Sequence, residues 1–375
     1  MAITITKEPE GFYPAYNDSY VEFSSSLASD LYAEIQLYPT VTFLHPTALF
    51  PNVLKIYPDS NGIYIFNLKE AVKVRLNENG FEDANFFVDI YYKNISGILL
   101  NQRIDIEVFN DTTSETTTEY YDFFKAVKQI AESLHNNPYQ LLSYSADGVN
   151  HFMTYFEGFP FHFDILKVQS GVNIIVKSLN TGNESEPMLT TAEESFRVNV
   201  DKGGGNNWTF DNFLPLTENW NRLEIYEGTT FKTNLLLRKK KNCSGIYLKW
   251  FNRSGGFSHY LFDKYYIQET RNAEIGTILN NEFKNIENAT GLNKVVGKEA
   301  SASMIIKSKY EAEEYENIKD LFVSPFVQMY SSQEANVDGS FFDVSIQGVL
   351  SFSNKRGRNE ASFIVNLPEH ITAKL

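Results

Sequence analysis

The sequence predicts a mainly β fold, built as tandem β-sandwich domains with short α-helical insertions. Phe and Tyr are abundant, at 30 and 22 of the 375 residues, and both favour the pleated, half-buried surfaces of sheets. Short runs in which apolar and polar residues alternate recur along the chain, as they do in half-buried strands. Turn-forming residues separate these runs, an arrangement typical of β-sandwiches.

The first domain is predicted to span residues 1–168 and to resemble a β-sandwich. Residues 67–76 interrupt its strands with a short amphipathic helix, because Leu68, Val72 and Leu76 fall one helical turn apart. The strands predicted in this domain lie at 20–24, 31–37, 63–66, 87–93 and 103–109, with two more on either side of a tight bend within 151–166.

The clearest helical pattern in the chain lies near residues 120–135. Its apolar positions recur at helical spacing and would form one apolar stripe on a helix. They are Tyr121, Phe124, Val127, Ile130, Ala131 and Leu134. We expect this amphipathic helix to pack across the face or the end of a sheet in the first domain.

The second domain is predicted to span residues 169–375 and to be β-rich. A polar stretch and three consecutive glycines predict a flexible loop at 180–207. Ser308 and Glu311 form a capping-box pattern at the start of a short helix near 309–323. The strands predicted in this domain lie at 196–200, 222–226, 230–237, 245–251, 326–330, 341–350 and 361–366.

Residues 247–264, YLKWFNRSGGFSHYLFDK, form a hairpin pattern whose turn takes its positive-φ positions from Gly255 and Gly256. Alternation divides its first strand into two faces, with Leu248 and Trp250 on one and Tyr247, Lys249 and Phe251 on the other. Both faces carry aromatic rings, whereas a solvated face would alternate to polar residues. We therefore expect the domain core to cover one face and a neighbouring subunit to cover the other.

The same hairpin raises the question of a hydrolase dyad, because Ser258 and His259 are adjacent. Adjacent residues of a strand point to opposite faces, so this pair cannot form a hydrogen-bonded nucleophile and base. We interpret His259 as a packed aromatic ring. The sequence also lacks the Gly-x-Ser-x-Gly elbow that presents the serine of many hydrolases.

Candidate cofactor and metal motifs fail on spacing. The glycines at 203–205 do not open a helix after a strand, so they predict no dinucleotide loop. GLNKVVGK at 291–298 has one residue too many between its glycines for a phosphate loop. His151 and His162 form only a loose pair, which we interpret as core or interface residues rather than zinc ligands. Residues 59–62 begin like a calcium loop but lack the later ligands, and they predict a turn.

These results predict no catalytic residues, no cofactor-binding residues, no metal site and no cofactor, and therefore a protein that is not an enzyme. One enzymatic alternative stays open. Two of the 47 acidic residues could meet in space as the carboxylate pair that cleaves a glycosidic bond, although the sequence singles out no such pair.

Composition disfavours several partners. The formal net charge of −14 repels nucleic-acid phosphate and anionic lipid, so we expect no direct nucleic-acid binding. We interpret the basic clusters at 238–241 and 355–358 as exposed turns between strands. No apolar run has the length of a membrane span, and we expect no secretion signal and no membrane contact. Cys243 is the single cysteine, which rules out an intramolecular disulfide.

Five segments of the chain carry a resemblance to a known family. GFYPAYNDSYVEFSS (11–25), AEIQLYP (33–39) and GIYIFNLKEAVKVRL (62–76) lie in the first half. GIYLKWFNRSGGFSHYLF (245–262) and NIKDLFVSPFVQMY (317–330) lie in the second. Together they resemble virion proteins of tailed phages that infect Bacteroidetes, including the crAss-like phages. In these proteins a Trp-containing strand, a Gly-Gly turn and an aromatic strand precede a short helix that ends in Ser-Pro.

The resemblance implies a structural, non-enzymatic component of the phage tail or neck, arranged as a ring around the tail axis. Its partners would be copies of itself in a homo-oligomeric ring and other tail or neck proteins. Its location would be the virion tail after synthesis in the host cytoplasm. The resemblance is weak at 110–120 and 180–215, and the family has no catalytic residues to transfer.

Two other functions stay open. The first is a carbohydrate-binding or receptor-binding β-sandwich module of a tail fibre or spike, in which exposed aromatic rings would stack on sugars. The second is a glycan-degrading enzyme, which would need two carboxylates facing each other across a cleft.

Overall fold

The structure is a computed structural model that describes most of the chain. The described residues are 3–27, 31–38, 52–78, 80–81, 92–95, 97–128, 140–166, 171–189, 195–201, 210–241, 244–278, 294–331, 340–355 and 358–368.

Strands dominate this part of the chain, with three short α-helices and one turn of 3₁₀ helix between them. In chain order the elements are β1 (Thr4–Lys7), β2 (Phe12–Pro14), β3 (Tyr20–Ser24), β4 (Tyr32–Tyr38), β5 (Asn52–Ile56), β6 (Ile63–Asn67), α1 (Lys69–Leu76), β7 (Tyr92–Ile95), β8 (Leu99–Phe109), β9 (Ser114–Phe124), β10 (Gln140–Leu141), β11 (Asn150–Phe156), β12 (Phe161–Leu166), β13 (Asn173–Ser178), β14 (Met188–Leu189), β15 (Ser195–Asp201), α2 (Phe210–Phe213), β16 (Asn219–Glu227), β17 (Thr230–Lys240), β18 (Ile246–Phe251), β19 (Phe257–Phe262), β20 (Tyr265–Ile278), β21 (Lys294–Lys309), the 3₁₀ turn (Ala312–Glu314), α3 (Tyr315–Leu321), β22 (Val327–Ser331), β23 (Ser340–Asp343), β24 (Ser345–Lys355) and β25 (Arg358–Asn366).

These strands form six sheets, which pair into three β-sandwiches in the described part of the chain. The first sandwich joins sheets β1-β3-β6 and β2-β9-β8-β4-β5, the second joins β10-β12-β15-β7 and β11-β17-β16-β13-β14, and the third joins β19-β18-β22-β23 and β20-β21-β25-β24. Each pair of sheets encloses its own hydrophobic core. The prediction of a mainly β fold of tandem sandwiches with few short helices is confirmed.

In the first sandwich, the alternating pattern of the sequence produces the expected half-buried strands. Ala33 and Ile35 of β4 are fully buried, and Glu34 between them is partly exposed. Helix α1 adds Val72 and Leu76 to the same core. The helix predicted at 67–76 is therefore confirmed, and its spacing of four residues explains why both side chains point to one face.

The second and third sandwiches contain strands that are buried on both faces. All six side chains of β12 and all six of β18 are buried. Each strand turns one face to the core of its own sandwich and the other face to the neighbouring sandwich. Strands covered on two sides lack the solvated face of half-covered strands, so even their polar residues, His162, Asp164 and Lys249, are buried.

The amphipathic helix predicted near 120–135 is wrong where the structure describes it. Residues 114–124 form β9, which pairs antiparallel with β8 along its whole length. Tyr121 and Phe123 are buried with strand periodicity, and the pairing with β8 across the short turn at 110–113 overrides a local spacing that suits either structure. The predicted positions from 129 onward lie outside the described residues.

The sheets also cross the domain boundary predicted between residues 168 and 169. Strand β12 pairs with β15, and β11 runs parallel to β17. The core between these sheets extends from Leu141 to Leu237. The described part of the chain is therefore organised as three sandwiches rather than two, because the middle one is assembled from strands on both sides of the predicted boundary.

The remaining predictions in the second half have mixed outcomes. The short helix near 309–323 exists, as the 3₁₀ turn followed by α3. Its capping box is absent, because Ser308 is the penultimate residue of β21 and no side chain caps the turn. Within the loop predicted at 180–207, residues 195–201 form the expected strand, while residues 202–209 lie outside the described residues.

None of the helices in the described part of the chain has the length and apolarity that a membrane span requires.

Candidate functional site

The turn of the β18–β19 hairpin, Asn252–Gly256, lies where the three sandwiches meet. Asn252 organises the turn, because its Oδ1 accepts hydrogen bonds from the backbone N–H groups of Ser254 and Gly256 at 2.9 and 3.2 Å. Its Nδ2 donates to the carbonyl of Leu142 in the second sandwich at 3.0 Å. The backbone N–H of Val127, which follows β9, donates to the carbonyl of Arg253 at 2.8 Å. We call this contact region the tip joint.

The glycines of the turn are required by how closely neighbouring backbone approaches them. A Cβ atom at Gly255 would lie 2.7 Å from the carbonyl oxygen of Lys125, and Gly255 has a φ of +92°. A Cβ atom at Gly256 would lie 2.5 Å from the carbonyl oxygen of Leu142. The predicted positive φ is confirmed at Gly255 and is wrong at Gly256, where the close approach of the Leu142 carbonyl explains the glycine instead.

Charged side chains hold the outer side of the tip joint. The Arg253 guanidinium donates to the Glu316 carboxylate at 3.0 Å, and the Arg253 backbone N–H donates to Asp320 at 3.2 Å. Its guanidinium also lies over the Tyr144 ring, 4.9 Å from the centroid. Glu316 and Asp320 are four residues apart on α3, so one helix face presents both carboxylates to the hairpin turn.

A cavity of about 860 Å³ opens beside the tip joint. All three sandwiches contribute to its walls. The described residues that line it are Tyr16, Phe81, Val127, Tyr144, Phe251, Asn252, Arg253, Glu316, Lys319, Asp320, Val323, Ser324 and Pro325. Aromatic rings form one wall and the charged residues of α3 and the hairpin form another.

Lys125 is a buried cation behind the aromatic wall. Its ammonium donates to the carbonyl of Gly80 and lies 4.4 Å from the ring centroid of Phe81 and 5.9 Å from that of Phe251. Burial lowers the pKa of Lys125 to about 8, since a low-dielectric surrounding disfavours the charged form. The two aromatic faces partly replace the lost hydration of the ammonium.

The second aromatic face of the hairpin is covered by the second sandwich of the same chain. The Tyr247 hydroxyl donates to the carbonyl of Pro160 at 2.6 Å, and its ring stacks on Phe159 with centroids 4.7 Å apart. His259 meets His162 edge to face, with centroids 4.4 Å apart. The expectation that a neighbouring subunit covers this face is therefore wrong, because it did not consider a third sandwich within the chain.

A buried ion pair lies under this face. Arg197 donates to both carboxylate oxygens of Asp164 at 2.7 and 2.9 Å, and both side chains are almost completely buried. Nε2 of His162 lies 3.9 Å from the same carboxylate. Burial, and then the positive charge of Arg197, hold the pKa of His162 well below its ordinary value of 6.5, so this ring is neutral at pH 7.

A second set of carboxylates joins α3 and its 3₁₀ turn to the second sandwich. Glu311 pairs with Arg238 and Lys240 of β17. Glu314 is buried and accepts a hydrogen bond from Asn317 at 3.0 Å. Burial raises the pKa of Glu314 to about 7, against the opposing effects of its hydrogen bonds to Asn317 and Thr154 and the charge of Lys240. We call the contact between the second and third sandwiches the charged joint.

The candidate residues taken from the sequence do not form a catalytic group in this structure. Ser258 accepts a hydrogen bond from Asn252 at 3.0 Å, whereas His259 faces the second sandwich. Nδ1 of His151 shares a hydrogen bond with Ser143 at 2.9 Å. His162 instead contacts the rings of Phe257 and His259. Within the described ranges, no cluster of three or more His, Cys, Asp or Glu residues could hold a metal ion.

Two further predictions concern turns. Residues 59–62 do form a turn, in which the Asp59 carboxylate accepts from the backbone N–H groups of Asn61 and Ile63 at 2.8 and 2.9 Å. The basic cluster at 238–241 is not a turn, because residues 238–240 complete β17 and pair with acidic side chains. In the cluster at 355–358, residues 356 and 357 lie outside the described residues.

The role of the buried charged residues at and beside the joints was not recognised from the sequence. Lys125, Asp164 and Arg197 each interrupt a run of apolar or aromatic residues. A charged residue in such a run was the available signal, because ionisable groups are almost never fully buried unless they are paired. The sequence alone does not reveal which distant residue supplies the partner.

No protein-family model matches this chain, and no curated protein matches it either. Among solved structures, the surface layer protein SbsC, domains 4–9, is 8% identical with a TM-score of 0.20, covering 100% of this chain and 47% of that chain. A chimeric titin Z1Z2 is 9% identical with a TM-score of 0.16, covering 64% of this chain and 100% of that one.

The native alpha-2-macroglobulin of E. coli is 10% identical with a TM-score of 0.21, covering 81% of this chain and 21% of that chain. This chain spans about half the length of the SbsC chain that it matches. At these TM-scores the similarities carry no argument about function.

Proposed function

We propose that this protein is a structural component of a bacteriophage virion, a tail or neck ring protein that oligomerises and contacts other tail proteins. The observation that carries the proposal is the way in which the three sandwiches are joined. Residues of the hairpin turn make backbone and side-chain hydrogen bonds to both other sandwiches. Such buried joints suit a scaffold that must keep its shape under load.

Two of the five segments that resemble virion proteins of Bacteroidetes phages lie at these joints. GIYLKWFNRSGGFSHYLF contains the hairpin and its turn, and NIKDLFVSPFVQMY contains most of α3 and part of the cavity lining. The resemblance therefore involves the residues that hold the sandwiches together, which supports a role in which the arrangement of domains matters.

An exposed apolar patch on the first sandwich is the surface that we propose for contacts between subunits. Tyr20 and Ile65 are 43% and 49% exposed, and they are diagonal neighbours on paired strands β3 and β6. Apolar side chains grouped on an exposed sheet face favour burial against a partner. The edge strand β5 of the other sheet carries two further exposed apolar side chains, Val53 and Leu54, which are 54% and 43% exposed.

Oligomeric state and presence in particles test the proposal. We expect the full chain to elute as an oligomer by size-exclusion chromatography with light scattering, to form rings in electron micrographs and to be found in purified particles by mass spectrometry. The Ile65→Lys variant should shift the oligomer towards monomer without changing the circular dichroism spectrum. Leu179→Lys, at a residue of the second sandwich that is 56% exposed, is the matched control and should leave the oligomer intact.

A chain that stays monomeric at all concentrations and is absent from purified particles would contradict the virion role. A second candidate function, a carbohydrate-binding or receptor-binding module of a tail fibre or spike, is favoured by one observation, the aromatic-lined cavity beside the tip joint.

A further inference from the structure

The cavity beside the tip joint has the size and lining of a ligand site. Its volume of about 860 Å³ lies within the range of roughly 300–1,000 Å³ that is usual for small-molecule pockets. Mostly apolar walls with a few polar groups that converge on one side are also typical of such pockets. The cavity draws on all three sandwiches, so its shape is set by the joints that hold them together.

The aromatic wall offers ring faces and edges to a bound molecule. Tyr16 and Phe81 are stacked, with centroids 6.2 Å apart and planes inclined by 24°. Phe81 meets Phe251 at 4.9 Å. The hydroxyl of Tyr16 donates to Oδ1 of Asn77 at 2.7 Å, which fixes that ring in place. Flat, positioned rings of this kind bind the apolar C–H face of a ligand at low entropic cost.

The charged part of the lining, on α3 and the hairpin turn, carries four charges that already compensate each other. Arg253 contacts both Glu316 and Asp320, and Oε2 of Glu316 also accepts from Lys319 at 3.3 Å. Two cations and two anions leave no net charge at the site. A charged ligand would have to separate one of these pairs, which is costly for partly buried groups. A neutral ligand would meet carboxylate oxygens with remaining acceptor capacity, since an ionised carboxylate accepts about four hydrogen bonds.

From the size, the aromatic wall and the compensated polar wall, we infer that this cavity binds a neutral oligosaccharide. A sugar ring has an apolar C–H face that matches the aromatic wall and a rim of hydroxyl donors that matches the carboxylates of α3. Binding at this place would also tie the three sandwiches together. The inference is independent of the proposed virion role, and each can fail without the other.

The test uses the full chain and neutral trisaccharides as probes: maltotriose, cellotriose, laminaritriose and triacetylchitotriose. Saturation-transfer difference NMR reports which probe is bound, and isothermal titration calorimetry gives its affinity. Val323→Trp is the blocking variant, because Val323 lines the cavity and is 78% exposed, so the larger ring fills the opening without entering a core. Val74→Trp, at a valine of α1 that is 71% exposed and is not among the residues that line the cavity, is the matched control.

We expect at least one trisaccharide to bind the natural chain and Val74→Trp with equal affinity, and to bind Val323→Trp at least tenfold more weakly. No binding by any of the four probes would overturn the inference, as would equal binding by Val323→Trp. Binding of the apolar dye 1-anilinonaphthalene-8-sulfonate in place of the sugars, with loss of the dye in Val323→Trp, would also overturn it and would indicate an apolar ligand. Loss of ring assembly without loss of sugar binding would affect the virion role alone.

Discussion

The tip joint, where the three sandwiches meet, and the charged joint, between the second and the third, use different chemistry. The tip joint relies on backbone hydrogen bonds and on glycines that let carbonyl groups approach closely. The charged joint relies on ionisable side chains such as Glu311 and Glu314, and the buried Asp164–Arg197 pair of the second sandwich lies beside it, with Arg197 over the Phe257 ring of the third. Backbone contacts do not titrate, whereas buried carboxylates and histidines do. The stability of the charged joint should therefore depend on pH far more than that of the tip joint.

The largest expected effect is the loss of one partner from the buried ion pair. Arg197→Ala leaves the Asp164 carboxylate buried without its bidentate donor, and such changes destabilise by about 3–5 kcal/mol. Urea denaturation at pH 7 measures the free energy of unfolding. The double variant Asp164→Leu/Arg197→Met should regain most of the loss, because it removes both charges and keeps the volume. An Arg197→Ala variant as stable as the natural chain would show that the pair is not needed for stability.

The next effect tests the tip joint through its backbone. Gly255→Ala should cost about 3 kcal/mol, because it combines an unfavourable positive φ with overpacking against the carbonyl of Lys125. Thermal and urea unfolding measure the loss. Gly228→Ala is the control, since Gly228 also has a positive φ but its Cβ would meet no atom within 4 Å, so that variant should lose only the backbone contribution of about 1–2 kcal/mol. Equal losses in the two variants would show that the close approach is unimportant.

A pH-dependent effect separates the two joints. Glu314 has a pKa of about 7 in the folded chain, against an ordinary value of 4.5 for a glutamate. The unfolded chain therefore releases its proton first as pH rises from 4.5 to 7, and stability falls over that window by up to about 3 kcal/mol. Glu314→Gln keeps the acceptor for Asn317 and should make the free energy of unfolding less dependent on pH between 5 and 8.

The control for this pH series is Glu70→Gln, because the Glu70 side chain is 76% exposed. Its pH profile should coincide with that of the natural chain. A Glu314→Gln profile that also coincides with the natural chain would place the titration elsewhere, and Gly255→Ala should shift the whole curve without changing its slope.

The smallest effect concerns His162 and has the opposite sign. Its pKa is lowered in the folded chain, so the unfolded chain binds a proton first as pH falls through the ordinary value of 6.5, and stability is lost on the acidic side. His162→Phe keeps a ring against His259 and Phe257 and should lose less stability than the natural chain between pH 7 and pH 5. A steeper acid loss in the variant would contradict this assignment.

Local patterns in the sequence were sufficient for elements that bury one face. Strands β4 and β8 and helix α1 each bury one side. The alternation in the strands and the four-residue spacing in the helix therefore predict the secondary structure correctly. The helix predicted near 120–135 was wrong because Tyr121 and Phe124 also fit a helical stripe, whereas pairing with β8 across the turn at 110–113 makes this segment a strand. The third sandwich was missed because the middle sandwich pairs strands from both sides of the predicted boundary.

The cavity could not be predicted at all. Tyr16, Phe81 and Phe251 are separated by long stretches of sequence, and each looks like an ordinary core aromatic. The hairpin turn was identified, but which surfaces it touches depends on how the sandwiches are arranged. A pattern of neighbours along the chain contains no information on that arrangement.

By itself the sequence determined the β-rich class of this protein, the hairpin with its glycine turn and the coverage of both hairpin faces. Only the tertiary structure decided that the second face meets the chain's own middle sandwich, that Arg197 neutralises Asp164, and that the turn borders a cavity. The physical reason is that burial on one side of a strand is encoded by neighbours along the chain, whereas the partner of a buried charge or of a second face is chosen by contacts between distant segments.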